Sequence, residues 1–339
     1  MKFKQIFVRK ETYPNEHRTC LIPKDVDTLV KSGIIVYIQS SNVRVYKDIE
    51  YKEVGAILTP YEWHYPDFKD CLILGIKELE NLENLDDHTH AYFSHSFQNQ
   101  KDSKNILDAF SLSRSTLYDF EYFLDNQQKR TIAFGLYAGQ VGAVLGLLQH
   151  LHELPLTLRP WNSFEEMVNS VKSKLATNTK TKSISIGILG HKGRCGQGVK
   201  SILSELALPF TEVDRDSDTE PLTRFDIFYN CIRLEEYYEK VWFDKNTLFS
   251  KQFTIVDISC DASKPNNPIQ IYNKSTTWES PVYSYNDLVS VIAIDNMPSL
   301  LPKESSDHFS EILTRLLLDP DTSEWDRSLY IFYDRILRI

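Results

Sequence analysis

The sequence predicts an α/β fold of two domains, each built on a parallel sheet. Short apolar runs alternate with helical stretches through most of the chain, which is typical of parallel α/β units. The length of 339 residues exceeds one typical core and fits two. A glycine-rich turn follows one apolar run in the second half, where a nucleotide-binding domain would carry it.

The first half is predicted to hold strands separated by helices. The strands are QIFVR (5–9), IIVYIQ (34–39), CLILGI (71–76) and HAYFSH (90–95). The helices are PKDVDTLVKSG (23–33) and NILDAFSLS (105–113). Apolar, β-branched runs of this length bounded by polar segments favour strands.

The second half repeats the alternation around the glycine turn. Its predicted strands are SISIGIL (183–189), LPFTEVD (208–214), FDIFYNCI (225–232), FTIVDISC (253–260) and VSVIAID (289–295). The polar stretch KSKLATNTKTKS (172–183) is predicted to be a solvated loop. The closing SEWDRSLYIFYDRILRI is amphipathic and is predicted to be a helix that packs on one of the domains.

One uncharged segment, TIAFGLYAGQVGAVLGLLQHL (131–151), has the length of a membrane span. It contains glutamines and a histidine, and it carries Gly135, Gly139, Gly142 and Gly146 at helical spacing. Small residues on one stripe let another backbone approach closely, as a buried helix requires. We therefore predict a buried helix and no membrane association.

Composition and charge exclude several classes of function. A net charge of -9 without a concentrated basic face argues against nucleic acid as a partner. The five cysteines show neither zinc-ligand nor disulfide-framework spacing, which suits a reducing cytoplasm. The N-terminus MKFKQIFVRKE lacks the apolar core of a signal peptide, so a cytoplasmic location is expected.

The turn ILGHKGRCGQG (188–198) predicts a dinucleotide site although the strict GxGxxG spacing is absent. A strand that leads through glycines into a helix N-terminus can bring backbone N–H groups close to a pyrophosphate. Asp214 ends the next predicted strand, where an acid binds the adenosine ribose hydroxyls. An acid there favours NAD over NADP, although the adjacent Arg215 leaves NADP open.

Polar residues follow several predicted strands of the first half, where parallel sheets bind ligands. Lys77 and Glu78 follow one strand and His95 ends another, which indicates an acid–base constellation. A solvated Lys–Glu pair at a strand end is the alternative. A metal site at His88, His90 and His95 is disfavoured, because His90 and His95 would lie on opposite faces of a strand.

The chain resembles the NAD-dependent, lysine-forming saccharopine dehydrogenases and, more distantly, the alanine dehydrogenase and transhydrogenase group. Matching motifs run in the family's order through nearly the whole length. They are ETYPNEHRT, GIKEL, HAYFSHSFQNQ, LYDFEYF, AFGLYAGQVGAVLG, GRCGQG, YNCI, PNNPIQIY and IDNMPSLLPKESS.

This resemblance implies two Rossmann-like, doubly wound parallel-sheet domains with an active-site cleft between them. They are a substrate domain at 1–135 plus 320–339 and an NAD-binding domain at 136–319, and a monomer is expected. It implies reversible oxidative deamination of a secondary amine that joins lysine to 2-oxoglutarate, so the partners are amino acid and 2-oxo acid substrates. Lys77 would take the amine proton, and His95 would handle protons during imine hydrolysis.

The resemblance also implies roles for residues around these two. The substrate side would hold Arg18, Glu78, Gln98, Gln100, Glu121 and Phe134. The cofactor side would hold Arg130, Gly193, Arg194, Asp214, Thr219, Ile258, Asp295, Asn296 and Met297. Arg18 would pair with a substrate carboxylate through its bidentate fork.

Three departures from the family pattern each remove a positive or titratable group: Tyr13, Gln98 and Asn296 stand where the family usually has Lys, Lys and His. These departures leave the identity of the substrate open. They also leave two other functions open, an alanine-dehydrogenase-like enzyme or a catalytically silent NAD-binding protein. Cys195 and Cys231 follow strands expected to be neighbours, so a disulfide is conceivable, but free thiols are expected.

Overall fold

The computed structural model describes residues 2–97, 102–177, 184–216, 220–233, 239–260, 262, 264 and 266–338. The chain divides into two compact units, here called unit 1 (Met1–Ala133 with Pro302–Ile339) and unit 2 (Phe134–Leu301). Each unit is built on its own sheet.

The strands of unit 1 are β1 (Gln5–Val8), β2 (Ile35–Gln39), β3 (Ile57–Thr59), β4 (Leu72–Leu74), β5 (Thr89–Tyr92) and β6 (Thr116–Asp119). Those of unit 2 are β7 (Ile186–Leu189), β8 (Thr211–Val213), β9 (Ile227–Asn230), β10 (Phe253–Asp257), β11 (Tyr283–Ser284) and β12 (Val289–Ile292). The helices are α1 (Pro23–Lys31), α2 (Asp48–Glu53), α3 (Ser103–Leu112), α4 (Gly135–His150), α5 (Phe164–Thr177), α6 (Arg194–Glu205), α7 (Pro302–Leu318) and α8 (Ser323–Ile336).

The sheet of unit 1 has the order β3-β2-β1-β4-β5-β6, and its strands are parallel. The strand order reverses at β1, because Val8 pairs with Ile38 on one side and with Leu74 on the other. Ligands of open α/β sheets bind beyond the carboxyl ends of the strands at such a reversal. The residues after β1, β4, β5 and β6 therefore form the part of unit 1 where chemistry is expected.

The sheet of unit 2 has the order β11-β12-β10-β9-β7-β8, in which the edge strand β11 is antiparallel and the others are parallel. Its order reverses at β7, which lies between β8 and β9. The glycine turn follows β7 directly, so it lies at the reversal point.

Helix α4 is the segment with the length of a membrane span, and it is buried in unit 2 from Gly139 to Leu148. Its glycines permit close packing: a Cβ at Gly139 would lie 1.9 Å from the carbonyl oxygen of Cys195 in α6. A Cβ at Gly198 of α6 would lie 2.1 Å from the carbonyl oxygen of Leu136. The predicted buried helix is confirmed. Within the described residues no helix has both the length and the apolar character to cross a membrane.

The predicted strands of both halves are present in the structure, with ends that differ by a few residues. The sequence reading missed β3, β6 and β11, which have two to four residues and weak apolar patterns. It was also wrong about residues 172–177, which form the last turns of α5. That helix buries Met167, Val168 and Val171 on one face, and this tertiary contact outweighs the polar composition of its end.

The boundary between the units also differs from the predicted one. The family resemblance places residues 302–319 in the cofactor domain, whereas α7 belongs to unit 1. The cause is a set of serine contacts with the start of α1. Ser306 Oγ accepts the N–H of Thr19 (3.0 Å), and Ser310 Oγ accepts the N–H of Ile22 (2.9 Å) and donates to Asp25 (2.5 Å). They satisfy backbone N–H groups of the segment that leads into α1, including that of its N-cap residue Ile22.

Candidate active site

The carboxyl edge of the unit 1 sheet gathers charged side chains from four strand ends. Arg9 and Glu11 follow β1, Lys77 and Glu78 follow β4, His95 follows β5, and Glu121 follows β6. The parallel register brings these ends together although the first and the last of them are more than a hundred residues apart in the chain. We call these six residues the strand-end cluster.

The backbone of Lys77 is held by a buried pair from the end of β1. Glu11 accepts the N–H groups of Ile76 (2.7 Å) and Lys77 (3.0 Å), and Arg9 donates to the carbonyl oxygen of Lys77. Burial raises the pKa of Glu11 above its ordinary value, while the Arg9 guanidinium opposes that rise. From the sequence alone, no role is assigned to Arg9 or Glu11. The structure shows that they fix the position of Lys77.

The side chain of Lys77 is only 9 % exposed, and its Nζ lies 4.4 Å from the centroid of the Tyr13 ring. An ammonium over an aromatic face is attracted by the ring quadrupole. Tyr13, which replaces a basic residue of the family pattern, thus gives Lys77 an uncharged partner. The solvated Lys–Glu pair that the sequence left open does not fit this burial.

Arg18 forms a buried bidentate ion pair with Glu16. Its Nε donates to one carboxylate oxygen (2.8 Å) and its Nη2 to the other (2.6 Å). Burial alone would raise the pKa of Glu16, but the Arg18 charge outweighs it and the pKa lies below its ordinary value. The fork predicted to bind a substrate carboxylate therefore holds a carboxylate of the protein. Its role towards substrate stays a prediction.

His95 lies between two carboxylates. Its Nε2 is 3.9 Å from Glu78 Oε1, and its Nδ1 is 3.7 Å from Glu121 Oε1, which are ion-pair distances for a protonated ring. The ring stacks on Phe93 with an interplanar angle of 20°. Arg130 Nη2 donates to the same Glu121 oxygen at 3.0 Å. The structure thus brings together His95, Glu78, Glu121 and Arg130, of which Arg130 had been assigned to the cofactor side.

A fully buried carboxylate, Asp119, lies next to this group and was missed by the sequence reading. It accepts hydrogen bonds from Ser94 Oγ (2.7 Å) and from the N–H of Glu121 (2.8 Å). Burial, and then the neighbouring Glu121 charge, raise the pKa of Asp119 to about 6. The sequence feature that could have identified Asp119 is an acidic residue at the end of a strand, but β6 was not predicted.

The glycine turn of unit 2 is shaped by a left-handed residue. Gly190 has φ +80°, and a Cβ there would lie 2.8 Å from the backbone of Cys231. Gly193 is the N-cap of α6, and Arg194 is the first residue of that helix. The turn therefore presents the N–H groups and the positive dipole end of α6 beyond β7.

A cavity of about 830 Å³ opens beside this turn. Its lining includes Gly190, Gly193 and Asp214, the strand-ending acid. Hydrogen bonds from His191 and Lys192, both at 3.4 Å, hold the pKa of Asp214 below its ordinary value. A helix N-terminus, a backbone that approaches closely and an ionised acid near the next strand fit the pyrophosphate and ribose of NAD.

The remaining predicted residues lie at several places. Ile258 follows β10, and Asp295, Asn296 and Met297 follow β12, so all four are at the carboxyl edge of the unit 2 sheet. Asn296 accepts a hydrogen bond from the Trp278 indole at 3.0 Å. Phe134 is the N-cap of α4. Gln98, Gln100 and Thr219 lie outside the described residues. Cys195 and Cys231 are free thiols.

The two parallel α/β units, with a glycine turn and ribose-type acid in one and an acid–base cluster in the other, define a dinucleotide-dependent dehydrogenase. The family model "Alanine dehydrogenase/PNT, N-terminal domain" matches residues 7–141. Saccharopine dehydrogenase [NAD(+), L-lysine-forming] of Schizosaccharomyces pombe is 33% identical over 340 residues, which cover 92% of this chain and 92% of that protein. The chain belongs to this saccharopine dehydrogenase family.

A second relative agrees with this assignment, and a solved structure agrees with the fold. The Candida glabrata enzyme of the same name is 33% identical over 337 residues, covering 91% of this chain and 89% of that protein. An L-alanine dehydrogenase structure superposes with a TM-score of 0.74 at 16% identity, over 96% of this chain and 93% of that one. The likeness to the alanine dehydrogenase structure concerns the fold alone.

Proposed function

We propose that this protein interconverts saccharopine, or a closely related secondary amine, with L-lysine and 2-oxoglutarate, using NAD. The observation that carries the proposal is the strand-end cluster of unit 1, in which a buried lysine and a histidine between two carboxylates follow neighbouring strands. Family membership supplies the substrate class, since relatives over nearly the full length have this activity in their names.

Lys77 and His95 divide the proton transfers. When bound, NAD would supply the hydride acceptor for the carbon that carries the substrate amine. In the oxidative direction Lys77, held by Glu11 and Arg9, takes the proton from that amine as a neutral amine, and in the reductive direction its ammonium gives the proton back. His95 supplies and removes protons while water adds to the imine and the resulting carbinolamine collapses. Separate acid and base groups suit these steps, and each contributes about 10²- to 10⁴-fold to the rate.

Other side chains bind and orient the reactants. On the substrate side we assign Arg18, Glu78, Gln98, Gln100, Glu121 and Phe134. For NAD we assign Arg130, Gly193, Arg194, Asp214, Thr219, Ile258, Asp295, Asn296 and Met297. The ionised Asp214 repels a 2′-phosphate, so NAD is the expected cofactor. The enzyme is further expected to be a cytoplasmic monomer. Light scattering after size-exclusion chromatography tests the oligomeric state.

The test is consumption of NADH across a matrix of 2-oxo acids and amino donors. We expect turnover with 2-oxoglutarate and lysine, and its loss in Lys77→Met and in His95→Gln. Lys69→Met is the matched control, because Lys69 is a half-exposed lysine of the same unit that pairs with Asp86.

Two outcomes contradict the proposal. Turnover with pyruvate and ammonia in place of lysine selects an alanine-dehydrogenase-like enzyme. Tight NADH binding without turnover across the whole matrix selects a catalytically silent NAD-binding protein.

A further inference from the structure

Asp119 joins two loops that carry functional side chains. It is the last residue of β6, its side chain is 0 % exposed, and it pairs in register with Tyr92 at the end of β5. The chain leaves β5 towards His95 and leaves β6 towards Glu121. Burial of a carboxylate is unfavourable unless the group is hydrogen-bonded. The hydrogen bonds of Asp119 therefore indicate which groups it holds in place.

The first loop is fixed from both sides of His95. Ser94 Oγ donates to Asp119 Oδ2 at 2.7 Å, and the hydroxyls of Ser94 and Ser96 lie 2.7 Å apart. His95 itself has φ +51°, a left-handed conformation that is unfavourable for a residue with a Cβ. The serine bridge spans His95 and, through Asp119, stabilises this conformation.

The second loop is fixed by the other carboxylate oxygen. Asp119 Oδ1 accepts the N–H of Glu121 at 2.8 Å. That bond sets the turn from which the Glu121 side chain reaches His95, with Oε1 at 3.7 Å from Nδ1. One buried carboxylate therefore orders both members of the His95–Glu121 pair.

We propose that Asp119 is a positioning residue, which holds His95 and Glu121 in the geometry that proton transfer requires. This inference rests on the proposed function of His95. Asp119 acts through its two hydrogen bonds and through its negative charge beside the imidazole. It does not touch substrate.

The charge of Asp119 changes within the working range of an enzyme, because its pKa is raised to about 6. Glu121 after β6 and His95 after β5 act on its charge directly, and Tyr92 of β5 interacts with it electrostatically. Glu78 after β4 lies against His95, and Arg130 pairs with Glu121. Above that pH the Asp119 carboxylate is ionised and places a negative charge beside the His95 ring. Below it, this contribution is lost.

The experiment compares Asp119→Asn with Asp125→Asn. Asparagine keeps the shape and one acceptor of Asp119 and removes the charge. Asp125 follows the same strand and also accepts two backbone N–H groups, from Gln127 (2.8 Å) and Lys129 (2.9 Å), but it is exposed and outside the cluster. We expect kcat to fall roughly 10- to 100-fold in Asp119→Asn, as small misplacements cost. We expect KM for NADH to stay unchanged in Asp119→Asn. In Asp125→Asn all kinetic parameters stay unchanged.

The decisive measurement is the pH titration of the His95 ring nitrogens by NMR, assigned with His95→Gln. We expect His95 to take up its proton at lower pH in Asp119→Asn, and the acid limb of kcat/KM to move in the same direction. Unchanged ring titration with unchanged kcat overturns the proposal. A fall in kcat that is fully accounted for by a lower melting temperature of the variant also overturns the proposal.

Two further points keep the proposal testable. If Asp119→Asn does not fold, Ser96→Ala removes the serine bridge from its outer end, and the His95 titration must still change. The NMR measurement does not depend on turnover. If the wild-type chain proves inactive, the proposed function fails while the coupling of Asp119 to His95 is still decided.

Discussion

The ammonium nitrogen of Lys77 lies over the ring of Tyr13, 4.4 Å from its centroid. A cation–π contact of this kind contributes about 0.5–2 kcal/mol, with the upper part of the range for desolvated pairs. Tyr13→Leu removes the ring, so Lys77 loses an orienting contact and kcat/KM falls severalfold. Tyr13→Phe keeps an aromatic face and retains most of the activity. Steady-state rates of the two variants separate the ring from the hydroxyl, and equal losses in both would contradict a cation–π role.

Removal of Arg18 alone from the buried Arg18–Glu16 pair is predicted to destabilise the protein more than removal of both charges. Arg18→Met leaves the Glu16 carboxylate buried without its partner, and removal of one member of such a pair costs about 3–5 kcal/mol. The double variant Arg18→Met with Glu16→Gln is less destabilised than the single one, because no uncompensated charge remains. Urea unfolding monitored by fluorescence measures the difference. A double variant as unstable as the sum of its parts would refute the coupling.

The same pair contributes to acid sensitivity. The pKa of Glu16 in the folded state lies below that of the unfolded chain. Its contribution to stability is therefore complete above the ordinary value of 4.5 and is lost as the pH falls through the folded-state pKa. Glu16→Gln removes this dependence.

His90 adds a second acid-sensitive element. It is fully buried beside Trp63 and Phe110, and burial holds its pKa well below the ordinary value of 6.5. Below about pH 6.5 the unfolded chain binds a proton that the folded state does not, so stability decreases as the pH falls. His90→Phe is expected to flatten the melting temperature between neutral and mildly acidic pH. A variant that melts with the wild-type pH dependence would exclude His90 as the source.

Asp214 is predicted to set the cofactor preference. Asp214→Ala removes the ionised acid and leaves Lys192 and Arg215 in the lining of the cavity, so affinity for NADPH rises relative to NADH. Glu212→Gln is the control, since Glu212 is a nearby exposed carboxylate that also contacts His191. Competition by 2′-AMP and 5′-AMP, followed by thermal shift, reports the preference without turnover. An unchanged ratio in Asp214→Ala would show that another residue selects the cofactor.

Much of the architecture was predictable because its signals are local. The strands β1, β2, β4 and β7 are continuous apolar runs, and the glycine turn stands directly after β7. Short elements with weak patterns were not predictable. The three-residue strand β3 carries an exposed isoleucine, and it is a strand because it pairs with β2, where Tyr37 lies opposite Ile57.

The candidate site divides in the same way. Lys77, Glu78 and His95 were found because a residue type at a strand end is visible in the sequence. Glu11, Asp119 and the Arg18–Glu16 pair were not assigned these roles, because hydrogen-bond partners depend on how strands and loops come together.

By itself the sequence determined two α/β halves, a dinucleotide turn before α6 and the residues that follow the strands, since periodicity and glycine spacing act over a few residues. Only the tertiary structure decided that α7 joins unit 1, that Arg18 holds Glu16, and that Asp119 supports His95. These contacts join residues that are distant along the chain or form only in the packed interior, where each buried polar group must find a partner.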